Sequence, residues 1–137
     1  MLELSPPALA TAGIAVLAAT TVTTGGYFLT RVARGDVPAT PFQASYFRAG
    51  HGHAGVLIIL GLVCLLLTEA TDLSGAWAWL ARTGALCAAI LMPAGFFLGA
   101  LGKGRERPAR LAALVPIGAA FLIAGLVTLG VGLLSAA

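Results

Sequence analysis

The stretch from Gly50 to Thr68, GHGHAGVLIILGLVCLLLT, determines the class of this protein because it contains no Asp, Glu, Lys or Arg over 19 residues. The hydrocarbon core of a bilayer is about 30 Å thick, and a helix needs about 20 apolar residues to cross it. Only 9% of the 137 residues are charged and 59% are hydrophobic, whereas about 25% of a soluble domain is charged. The sequence therefore predicts an integral membrane protein, with no room for a soluble catalytic module.

Three further stretches are long and apolar enough to cross a bilayer. Two of them contain proline, Pro93 and Pro116, which membrane helices tolerate as a kink. We predict an all-α fold, a membrane four-helix bundle in one transmembrane domain, 1–137, with spans at about 8–30, 50–68, 75–101 and 111–134.

Basic residues concentrate in two of the three links between the spans, whereas the charged residues of the third link, 69–74, are all acidic. The positive-inside rule then places both termini outside and both basic loops in the cytoplasm. We expect a plasma membrane, specifically a prokaryotic inner or cytoplasmic membrane. Because topology accounts for the basic residues, the expected partner is the lipid bilayer and not nucleic acid. The basic residues are Arg31, Arg34 and Arg48 in the first loop and Lys103, Arg105, Arg107 and Arg110 in the second.

The residues before span two carry a helix-start signal of their own. Thr40-Pro-Phe-Gln43 has the pattern of a capping box, with Thr at the N-cap, Pro in the first turn and Gln three residues on. We predict a short interfacial helix over 41–49 that presents Phe42, Tyr46 and Phe47 toward the membrane and continues into span two.

Two pairs of similar segments predict an internal repeat. Gly26-Tyr-Phe-Leu29 matches Gly95-Phe-Phe-Leu98, and 58–63 matches 122–127 if the second loop is about five residues shorter. The halves are then two tandem helical hairpins, related by an axis along the membrane normal.

The two histidines of the chain, His51 and His53, lie at the start of span two. In the predicted repeat, Val115 and Ile117 occupy the matching positions. Helix packing alone therefore does not require histidine there, which favours a specific role.

Residues two apart on a helix point about 200° apart, so the two histidines cannot chelate one metal from a regular helix. Gly50, Gly52 and Gly55 permit an unwound segment that would bring the rings together. Metal binding by His51 and His53 is then a hypothesis, although zinc and copper lack carboxylate or thiol partners nearby.

Haem is the sharpest cofactor hypothesis. One of the two histidines would be an axial ligand, with Met92, a second protomer or a partner subunit on the other side. Arg48 completes this set of candidate cofactor-binding residues. The alternative is that the imidazoles of His51 and His53 bond backbone carbonyls or lipid headgroups.

Arg82 lies about 10 Å into span three. Glu69, at the end of span two, and Asp72, in the link, are its natural partners. We predict a structural ion pair that holds spans two and three in register.

Three function classes fit this pattern. The first is a non-catalytic subunit or small-ligand-binding protein, forming a homo-oligomer or part of a larger membrane complex. The second is a small membrane enzyme. The third is an oligomeric transporter or channel with His51 or His53 as a pH-sensitive group. Residues 4–30 carry no acid, which disfavours the four-span multidrug exporters.

The enzyme class rests on a resemblance. The four-span layout, and Arg48-Ala followed by His51, resemble the membrane-associated eicosanoid and glutathione metabolism family. The pattern of that family continues with Asn and Glu, whereas Gly52, His53, Ala54 and Gly55 follow here. The glutathione-contacting carboxylate of the family therefore has no counterpart, and its chemistry is not carried over.

Overall fold

Four long helices contain most of the residues that the computed structural model describes, 4–137, and no strand occurs among these residues. All four are long and apolar enough to cross a membrane, as predicted for an all-α membrane four-helix bundle. The helices are α1 (Pro6–Ala33), α2 (Pro41–Thr68), α3 (Gly75–Ala100) and α4 (Leu114–Ser135), with a 3₁₀ turn at Arg110–Ala113 before α4.

The helix α2 is continuous from Pro41 to Thr68, so residues 41–49 and span two belong to one helix. Its start is fixed by the predicted capping box, in which the Gln43 N–H donates to Thr40 Oγ1 and the Thr40 N–H donates to Gln43 Oε1, both at 3.1 Å. His51 consequently lies about 15 Å along α2 from its start.

The end of α1 also has a local cause. The Asp36 N–H donates to the Arg31 carbonyl and the Gly35 N–H donates to the Val32 carbonyl, which is a Schellman ending. Gly35 has a φ of 80°, a conformation in which a side chain would be strained.

The helix α3 packs between α2 and α4, whereas α1 packs mainly on α2. Glycines bring α3 and α4 into backbone contact, because a Cβ on Gly84 would lie 2.8 Å from the Gly125 Cα. Small residues of this kind let membrane helices approach closely. Hydrophobic side chains fill the spaces between these helices, including Leu57, Cys64 and Leu129.

Hydrogen bonds join the loop between α1 and α2 to the loop between α3 and α4. Thr40 Oγ1 donates to the Arg105 carbonyl at 2.5 Å, and the buried Gln43 Nε2 donates to the carbonyls of Ala100 and Gly102 at 2.8 and 2.7 Å. Both basic loops therefore lie at the same end of the bundle, called here the basic end.

Candidate functional site

A groove of about 440 Å³ lies between α1 and α3, with α2 as its floor. We call it the α1–α3 groove. It forms because α1 and α3 both pack on α2 but leave a gap between themselves, and the α1 side presents small residues such as Ala15 and Ala18. Its rims carry exposed Ile14 and Ile90 (69% and 70% exposed), so the groove opens sideways toward the surroundings of the bundle.

His51 lies at the end of this groove that is nearer the basic end. Its ring packs on the backbone of α1, where a Cβ on Gly25 would lie 3.1 Å from Nδ1 and a Cβ on Gly26 would lie 3.5 Å from Cε1. The Gly25-Gly26 pair therefore provides the space that the imidazole occupies. Within residues 4–137, neither ring nitrogen of His51 has a hydrogen-bond partner, and the side chain is half-buried.

The other polar side chains of the groove either form hydrogen bonds within their own helix or are only weakly polar. The hydroxyls of Thr11, Thr21 and Thr83 each donate to a carbonyl of their own helix. Cys87 contributes a free thiol, which is a weak donor. No residue that lines the groove carries a formal charge, so the His51 imidazole is its strongest available hydrogen-bonding group.

His53 has different surroundings. Its Nδ1 lies 2.7 Å from the Ala49 carbonyl oxygen, and its ring centroid lies 5.0 Å from that of Phe96 on α3. The two histidines point to different neighbours, as two residues two apart on a regular helix must, and the structure does not bring their rings together.

The two other candidate cofactor-binding residues are not in the groove. Met92 is buried on the opposite side of α3, where a Cβ on Gly118 would lie 2.6 Å from its Cγ. The next residue, Pro93, lines the groove instead. Arg48 is exposed on α2 and does not line the groove either. The predicted pairing of a histidine with Met92 is therefore not assembled within one chain.

An aromatic cluster packs below the groove toward the basic end. Phe47 on α2 lies 5.1 Å from Phe28 on α1 and 5.7 Å from Phe97 on α3, measured between ring centroids. Phe97 also lines the groove. The cluster joins α1, α2 and α3 and closes this end of the groove.

At the other end of the bundle, Arg82 Nη2 donates to Glu69 Oε1 at 2.6 Å. Glu69 Oε2 also accepts a hydrogen bond from the Ser5 N–H at 2.9 Å. The Ser5 N–H bond is the main cause that lowers the pKa of Glu69, with a further contribution from Arg82. Asp72, the other predicted partner, is exposed and is not part of the ion pair.

Sequence reasoning missed Gly25, Cys87 and Phe97, all of which line the groove. The available signal was the Gly25-Gly26 pair inside an otherwise regular apolar span, which marks a place where another helix approaches closely.

Among the described residues, no group of three or more His, Cys, Asp or Glu is placed to hold a metal ion. Comparisons with family models, curated proteins and solved structures found no match for this chain.

Proposed function

We propose that this protein is a non-catalytic membrane subunit or small-ligand-binding protein whose ligand occupies the α1–α3 groove. The observation that carries the proposal is the unpaired His51 imidazole in an otherwise apolar groove. The His51 side chain is half-buried, and hydrocarbon around the bundle supplies no water to bond its free nitrogens. A ligand that bonds the imidazole supplies the missing hydrogen-bond partner.

The predicted repeat supports a role for His51 beyond packing. Val115, its counterpart, also packs on a glycine, since a Cβ on Gly95 would lie 2.7 Å from Val115 Cγ2. Gly95 is the counterpart of Gly26 in the same alignment. If the halves are two tandem hairpins, the contact between α3 and α4 has a valine at the position where the contact between α1 and α2 has an imidazole.

The proposal includes an orientation and a partner. Seven of the eight Lys and Arg residues belong to the basic loops and adjoining helix ends, which supports a cytoplasmic basic end and external termini in a prokaryotic plasma membrane. The partner is a second copy of this chain or another membrane subunit. Haem is one ligand that fits the proposal, because a free imidazole nitrogen can serve as an axial ligand of the iron. The second axial ligand would come from that partner.

Native mass spectrometry of the protein released from mild detergent tests the proposal. The matched variants are His51→Leu, which removes the free imidazole, and His53→Phe, which keeps an aromatic ring against Phe96. We expect the wild type and His53→Phe to retain a small lipophilic adduct and His51→Leu to lose it. Circular dichroism of all three proteins checks that they fold.

An adduct that survives equally in His51→Leu, or a wild type with no adduct, would contradict the proposal. A visible spectrum before and after dithionite reduction identifies haem among the adducts. A Soret band that depends on His51 assigns haem, and a featureless spectrum beside a retained adduct assigns a different ligand.

A further inference from the structure

The α1–α3 groove is elongated along the helices. On α1 its lining residues extend from Thr11 to Gly25, and on α3 from Thr83 to Phe97. Each of these segments is about 21 Å long by helical rise. One leaflet contributes about 15 Å of hydrocarbon, so the groove is longer than one leaflet is thick. The shape fits one extended chain lying parallel to the helices.

Polarity is confined to one end of this path. The three threonine hydroxyls bond their own helices, and the middle of the groove is lined by side chains such as Ala18, Ile58 and Leu86. The free imidazole of His51 and the ring of Phe97 lie at the end nearer the basic loops. The groove therefore offers an apolar path for a tail and one hydrogen-bonding position for a head.

The lining of the groove selects a neutral head. No residue that lines the groove is charged, so a charged headgroup beside His51 would leave water without an opposite charge to pair with. Such a burial is costly, whereas a neutral head that bonds the imidazole avoids that cost.

A planar head suits the two rings at this end. The imidazole offers a hydrogen bond to a carbonyl or hydroxyl, and Phe97 offers an aromatic surface. Resting on the proposed function, we propose that the ligand is an isoprenoid-tailed quinone or quinol, with its ring at His51 and Phe97 and its tail between α1 and α3. It enters sideways from the bilayer past Ile14 and Ile90.

Binding of a short-tailed quinone, decylbenzoquinone, to the full chain in phosphatidylcholine nanodiscs tests this assignment. We expect saturable binding near one quinone per chain. His51→Leu should weaken it about tenfold, which corresponds to the loss of one hydrogen bond of about 1.4 kcal/mol. His53→Phe should bind as the wild type does.

A second variant tests the path of the tail. Ala18 lines the groove and is otherwise exposed, so Ala18→Phe fills the path without entering the core. We expect weaker binding of decylbenzoquinone and unchanged binding of benzoquinone without a tail. Equal decylbenzoquinone affinity in wild type and Ala18→Phe overturns the tail placement, and equal affinity in wild type and His51→Leu overturns the head placement.

Different experimental results would contradict the quinone assignment and the proposed function. If the wild type keeps a His51-dependent adduct but binds no quinone, the quinone assignment is wrong and the proposed function stands. Displacement of the adduct by diacylglycerol but not by quinone likewise overturns the quinone assignment and identifies a glyceride. If neither an adduct nor quinone binding is found, both proposals fail.

Discussion

At the residue scale, the surroundings of each imidazole depend on which helix faces it. His53 faces α3, where Phe96 covers its ring, and its Nδ1 lies at hydrogen-bond distance from the Ala49 carbonyl oxygen of its own helix, α2. His51 faces α1, which presents only the glycine backbone at Gly25 and Gly26. The same side chain is thus satisfied at one position and available at the other.

Gly25→Val tests whether the glycine pair sets the position of the His51 ring. A Cβ at Gly25 would lie 3.1 Å from Nδ1, so we expect the ring to be displaced and ligand retention to fall, while membrane insertion is unchanged. Gly13→Val is the matched control, because a Cβ on Gly13 meets nothing within 4 Å. Equal adduct occupancy in the two variants, measured by native mass spectrometry, would rule out this role for Gly25.

At the end of the bundle opposite the basic end, the Glu69 carboxylate predicts that the stability of the protein depends on pH. Its pKa is lowered from an ordinary value of 4.5 by the bonds from Ser5 and Arg82. A lowered folded-state pKa contributes stability above the unfolded pKa, and that stability is lost as pH falls through the folded pKa. We expect Glu69→Gln to unfold at a lower temperature than the wild type at pH 7.

The difference between Glu69→Gln and the wild type should narrow as the pH is lowered below about 4.5. Thermal unfolding in detergent at several pH values measures it, with Asp72→Asn as the control, since Asp72 is exposed and outside the ion pair. If the difference in unfolding temperature between Glu69→Gln and the wild type does not change with pH, the effect of Glu69→Gln is due to packing and not to the charge.

At the element scale, α3 is the helix on which the bundle depends, because it packs on both α2 and α4. Its contact with α4 is set by backbone rather than by side chains at Gly84 and Gly125. The helix α1 has no comparable contact and leaves the groove open beside it.

Gly84→Leu should destabilise the bundle. An added Cβ would lie 2.8 Å from both the Gly125 Cα and the Phe121 carbonyl oxygen, so α3 and α4 must separate, and overpacking of this kind costs about 1–3 kcal/mol or more. Gly130→Leu on α4 is the control, because a Cβ there meets nothing within 4 Å. Unfolding free energies in mixed detergent measure both, and a similar loss in the two variants would contradict the prediction.

The existence of the four helices could be predicted from the sequence, because an apolar stretch of membrane length is a local property. Their limits could not, since hydropathy does not report caps or loop contacts. The start of α2 at Pro41 depends on the Thr40 and Gln43 bonds, and part of that network reaches Gly102, far along the chain. Gly50 and Gly52 did not interrupt the helix.

At the scale of the whole molecule, charge and groove are arranged along one axis. The basic loops lie together at one end, and the ion pair of Arg82 with Glu69 lies toward the other. The groove runs between these ends, with His51 nearer the basic loops. Composition and charge predicted this polarity of the bundle, but the groove depends on the register of α1 against α2, which no local pattern encodes.

Single-cysteine labelling tests the proposed orientation. In a Cys64→Ala, Cys87→Ala background, Asp72→Cys and Lys103→Cys mark the two ends at exposed positions. We expect a membrane-impermeant maleimide to label Asp72→Cys on intact cells, and Lys103→Cys only after lysis, because basic loops stay in the cytoplasm. The reverse pattern would invert the proposed topology.

The bonds of Gln43 also set an order for biogenesis. Its amide donates to carbonyls that are synthesised 57 and 59 residues later, so a nascent chain carries the first turn of α2 without these partners until the whole of α3 has left the ribosome. We expect that turn to be the last part of the first two helices to resist a protease. Nascent chains stalled before Ala100 should be cut near Gln43, and chains released at full length should be protected there.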